Sequence, residues 1–86
     1  MKLYLYIRTS TGEEAASLDL VKIFKDEMSV KEFFEKDRKD VLSTLGVFRF
    51  TNKWESKDQW EISVEDYDSP SGETTFRGFI ESQEVD

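Results

Sequence analysis

The chain has 86 residues, room for one hydrophobic core and expected to form a single domain over 1–86. Twelve Lys and Arg stand against 19 Asp and Glu, a net charge of −7, which sets nucleic acid and anionic membrane surfaces aside as direct ligands. With neither His nor Cys, the chain cannot form Ser–His–Asp or Cys–His catalytic groups, disulfides, or imidazole and thiolate metal sites.

Residues 2–9 alternate strictly, Leu3, Leu5 and Ile7 on one side and Lys2, Tyr4, Tyr6 and Arg8 on the other, which is the period-two pattern of a half-buried strand. The aliphatic set is expected to face the core and the tyrosines to face away. This opening segment lacks the apolar stretch and cleavage site of a signal peptide, and no run approaches the ~20 apolar residues of a membrane span, so a cytoplasmic protein is expected.

A turn containing Gly12 follows. Leu18 to Lys25 fits a strand by its Leu, Val, Ile and Phe content and a helix by Ala16, Leu20, Phe24 and Met28 at four-residue spacing; strand is favoured. Ser29 and Glu32 have capping-box spacing, and Val30, Phe33, Phe34, Val41, Leu42 and Leu45 recur at helical spacing, predicting a helix over 30–45. Gly46 is placed to end it in a left-handed cap.

Period two then returns. Phe48, Phe50 and Trp54 share one parity, as do Trp60, Ile62 and Val64 beyond the polar turn at 55–59, predicting a hairpin in which Trp54 and Trp60 pair across the strands. Turn-forming residues fill 66–73, a last strand is expected over 74–81 with Phe76 and Ile80 on one face, and 82–86 reads as a tail. The order β-β-α-β-β-β predicts an α+β two-layer domain, a mostly antiparallel sheet of four or five strands with one helix on one face. In outline the N-terminal half resembles the ubiquitin-type β-grasp, without the terminal Gly-Gly used for conjugation.

The acidity is local. Residues 1–50 carry nine acidic and nine basic side chains, whereas 51–86 carry ten acidic against Lys53, Lys57 and Arg77, so the whole net charge belongs to the C-terminal part. That excess serves solubility, and it also fits a basic groove. Carboxylates at alternate strand positions repeat every ~6.6–6.8 Å, a spacing suited to a row of Lys or Arg built to hold phosphates. Tyr4, Tyr6, Glu61, Glu65, Asp66, Tyr67, Asp68 and Glu73 are therefore the candidate partner-binding residues, with Tyr4, Tyr6, Glu61, Glu65 and Tyr67 expected on the face away from the helix and Asp66, Asp68 and Glu73 in the acidic turn beside it.

Catalytic motifs are lacking. The four glycines stand singly, so no phosphate-cradling loop is spelled out, and Glu61 and Glu65 lie roughly 13 Å apart along a strand, farther than a glycosidase pair requires. The acidic stretch at 65–73 lacks the ligand order of a calcium loop. No enzyme activity and no cofactor are expected.

Short, acidic, aromatic-rich and Cys-free, the chain is similar in general character to phage anti-defence and anti-host proteins. The expectation is a non-catalytic inhibitor from a phage or mobile element, monomeric or weakly dimeric, whose acidic surface occupies the nucleic-acid site of a basic host protein. The alternative is a scaffolding module that self-associates through a sheet edge or the Tyr4/Tyr6 face.

Overall fold

A computed structural model describes residues 1–12, 16–65 and 72–85. Five strands, β1 (Lys2–Thr11), β2 (Ala16–Phe24), β3 (Phe50–Glu55), β4 (Gln59–Glu65) and β5 (Glu73–Glu84), form one sheet in the order β2-β1-β5-β4-β3. Every neighbouring pair is antiparallel. One helix, α1 (Glu27–Thr44), lies on one face, giving the expected two-layer α+β arrangement. The likeness to a β-grasp ends with the β-β-α order, because β1 and β5 run antiparallel where that fold pairs its first and last strands in parallel.

The side of β1 that meets the helix is the reverse of the one expected. Tyr6 is 0% exposed and sits in the core with Val30, Phe34, Val41, Leu45, Trp60, Ile62 and Val64, while Tyr4 packs at its edge. A buried carboxylate explains the choice. Asp37 falls in phase with Val30, Phe34 and Val41 on the buried stripe of α1, and a charge there must be paired and hydrogen-bonded. The even-numbered side of β1 supplies both donors: the Tyr6 hydroxyl donates to Oδ2 of Asp37 at 2.5 Å and the Arg8 guanidinium to Oδ1 at 2.7 Å. Phe33 and Phe34 present their rings edge-on to Tyr6 at 5.3 and 6.1 Å. Gly78 leaves the space, since a Cβ there would overlap the Trp60 ring and the Tyr6 hydroxyl.

The helix also begins earlier than the capping box predicts. Asp26 is the N-cap, its carboxylate accepting from the Ser29 amide at 2.8 Å and the Ser29 hydroxyl at 2.9 Å. Ser29 thus acts as a donor inside the first turn and not as the cap. At the other end the chain tightens into a 3-10 turn, Leu45–Val47, and Gly46 is not left-handed.

Trp54 and Trp60 do not pair. The β3–β4 register slips between Phe50 and Asn52, a bulge that turns Trp54 to the face opposite Phe50, where its partner is Glu61, while Trp60 is buried. Finally, β5 continues to Glu84 against Lys2–Tyr4, so 82–84 is strand and not tail.

Candidate protein-docking face

With α1 on one side, the other side of the sheet is open. Alternation along each strand fixes what it presents. From β1 come Leu3, Leu5, Ile7 and Thr9, and from β5 their cross-strand partners Gln83, Glu81, Phe79 and Arg77. From β4 come Gln59, Glu61, Ser63 and Glu65, and from β3 Asn52 and Trp54. On the edge strand β2, Ile23 and Val21 lie opposite Leu5 and Ile7. A register shift beside Asp19 then lets Leu18, opposite Thr9, join the same side.

Two zones result. Over β2, β1 and the start of β5 the face is apolar, with Leu18 65%, Ile23 64% and Val21 44% exposed beside the half-buried Leu3, Leu5, Ile7 and Phe79. Contiguous exposed apolar surface of this kind marks an interaction site more often than isolated residues do. Over β5 and β4 it is acidic: Glu61, Glu65, Glu73 and Glu81 stand against Arg77.

Glu61 is committed within the fold. It accepts from Arg77 Nε at 2.6 Å on one oxygen, and from Trp54 Nε1 and Asn52 Nδ2, both at 2.8 Å, on the other. The Arg77 bond, followed by that of Trp54, holds its carboxyl below the usual carboxylate range. Glu65 and Glu73 face each other directly in the register, two like charges whose mutual repulsion a cation between them would relieve.

The cations of the strands lie on the other side. Of the five Lys and Arg carried by strands, Lys2, Arg8, Lys22 and Lys53 all project toward the helix and only Arg77 does not. Lys2, Lys22 and Lys53 lie over the rings of Tyr4, Phe33 and Phe50 at 5.8, 4.6 and 5.1 Å, capping the aromatic rim of the core.

The sequence-predicted residues are therefore divided. Glu61 and Glu65 lie on the open face as expected, Glu73 joins them as the first residue of β5 and not as part of a turn, Tyr4 and Tyr6 belong to the helix side, and Asp66, Tyr67 and Asp68 lie outside the described residues. Sequence reasoning missed Leu18, Val21, Ile23, Phe79 and Glu81. Their signal was the second apolar parity of β1, which needed cover of its own once Tyr6 was assigned to Asp37.

No protein family, curated protein or solved structure matches the chain. Among the described residues no group of three or more carboxylates is placed to hold a metal ion, and no helix is long and apolar enough to cross a membrane.

Proposed function

We propose that the chain is a non-catalytic binding protein that docks on a basic protein partner through the open face of its sheet, in the manner of an inhibitor occupying a nucleic-acid-binding site. The observation that carries this reading is the sidedness of charge among the described residues: the open face of the strands holds four carboxylates and one arginine, while the helix side holds the other four strand cations beside carboxylates that include Glu55 and Glu84. Carboxylates on β4 and β5 meet the Lys and Arg that such a partner uses for phosphates, and the apolar zone adds burial that ion pairs alone do not provide.

The test is affinity capture on the tagged chain, eluted with salt and with double-stranded DNA. Retained proteins are expected to be basic nucleic-acid binders. They are expected to leave the chain between about 0.1 M and about 1 M salt, as the screening length falls from ~10 Å to ~3 Å, and to be displaced by DNA. Retention indifferent to both contradicts the reading.

The exposure of Leu18, Val21 and Ile23 favours a second reading, self-association through the same open face. Sedimentation separates the two, since that reading requires a stable oligomer of the free chain.

A further inference from the structure

The apolar zone has a definite shape. Leu3 to Ile7 runs along β1 and is flanked by Val21 and Ile23 on β2 and Phe79 on β5; backbone pairing of Met1 with Val85 extends the row by one more position. At ~3.4 Å per residue and ~4.8 Å per strand, this strip is about 20 Å long and about 10–14 Å wide, spanning three strands at Ile7 and two at Leu5, where the β5 position is Glu81. It lies back to back with α1, which packs over the same three strands from the other side. A sheet with a helix on one face and an apolar strip of helical width on the other has the form of a three-layer packing with one layer missing.

What fits the strip is decided by area and charge. A second copy seated strip on strip buries about 300 Å² from each chain, about 600 Å² in total, short of the ~1,200–2,000 Å² total of a stable interface. Extending the overlap over β5 and β4 would bring Glu61, Glu65, Glu73 and Glu81 toward the same four carboxylates of the second chain. A basic partner has no such limit, because beyond the strip its cations meet carboxylates. The carboxylates border one side only: β2 contributes Ala16, Leu18, Val21 and Ile23 to this face and no charge, whereas β5 contributes Glu81 directly beside Leu5. An α-helix, about 10–12 Å across with side chains, matches the width, and about 13 residues match the length.

We infer that the segment seated on this strip is an amphipathic α-helix of the partner, with an apolar stripe on Leu3, Leu5, Ile7, Val21, Ile23 and Phe79 and Lys or Arg along the flank facing β5. The inference rests on the docking function proposed above and adds the form of the ligand. The helix would complete the third layer, covering the apolar parity of β1 as α1 covers the tyrosine parity.

The probe is an 18-residue peptide of Leu, Ala, Gln and Lys, with Leu at i, i+3, i+4 and i+7 and Lys along one flank. Its control is an isomer of the same composition with the periodicity scrambled. Binding of each to the intact chain is read by fluorescence anisotropy at low salt. The helical peptide is expected to bind at least tenfold more tightly than the isomer. Ile23→Gln and Glu81→Gln, both at exposed positions, should each weaken it at least threefold, and Glu35→Gln on the outer side of α1 should leave it unchanged, with circular dichroism confirming that each variant is folded. Equal affinity for the two isomers, weakened alike by Glu81→Gln, overturns the helical form while acidic docking stands. Binding of neither peptide overturns both. A free chain that sediments as a dimer and is split by Ile23→Gln overturns the inference in favour of a second copy.

Discussion

At the scale of residues, the fold turns on Asp37. A carboxylate on the buried stripe of α1 needs donors, and the side of β1 bearing Tyr6 and Arg8 supplies two, one of them a cation, where the other side offers Leu3, Leu5 and Ile7. Burial, then the hydrogen bond to Asp37, pushes the Tyr6 phenol well above its ordinary value of about 10. Above pH ~10 the folded state therefore holds a proton that the unfolded state releases, so this contribution to stability is complete below that pH and declines as pH rises past it. Tyr6→Phe should lower unfolding free energy at neutral pH by about 1–3 kcal/mol, the penalty for a buried acceptor left short of a donor. It should also flatten the alkaline decline relative to wild type; denaturant titrations at neutral pH and at pH ~11 check both. Tyr4 and Tyr6 read as surface residues in the sequence because alternation tells two sides apart without saying which is inner. Asp37, written inside the charged run 36–40, was the legible clue: it stands seven residues after Val30 and four before Val41, in phase with the core.

At the scale of elements, periodicity locates α1 and the other strands, β2 is told from a helix only by its Leu, Val, Ile and Phe content, and local hydrogen bonding moves the ends. Asp26 and Ser29 satisfy the first turn of α1 between them. Asp26→Ala should destabilise the protein by about 0.5–2 kcal/mol, while Glu32→Ala should change stability little, a comparison made directly by thermal unfolding. The reverse ranking would restore Ser29 and Glu32 as the cap. Strand faces were legible for β4, where Trp60, Ile62 and Val64 alternate with charged and polar residues, and for Phe76 and Ile80 of β5. They were not legible for Trp54, because one extra residue in the bulge after Phe50 reverses every side chain beyond it. Residues 82–84 read as a tail for want of apolar residues, yet they pair with Lys2–Tyr4, and backbone pairing leaves no mark in composition.

At the scale of the whole molecule, four of the ten carboxylates of 51–86 gather on the open side of the sheet, while Glu55 and Glu84 lie on the helix side. Parity alone places Glu61 and Glu65 on the open face, and the register keeps them there and adds Glu73 and Glu81. The apolar half is hidden in the sequence, because alternation points Leu3, Leu5 and Ile7 to a core that Tyr6 fills instead, with Tyr4 at its edge. Docking through an acidic face with a helix-covered back, as proposed, makes a one-sided demand on the partner. The measurement that tests this most directly is affinity capture with charge reversed on each side in turn. Glu73→Lys with Glu81→Lys, on the open face, should abolish capture of basic nucleic-acid-binding proteins, while Glu32→Lys with Glu35→Lys, on the exposed side of α1, should retain it. Equal loss from both pairs, or loss from the helix pair alone, would contradict docking through the open face.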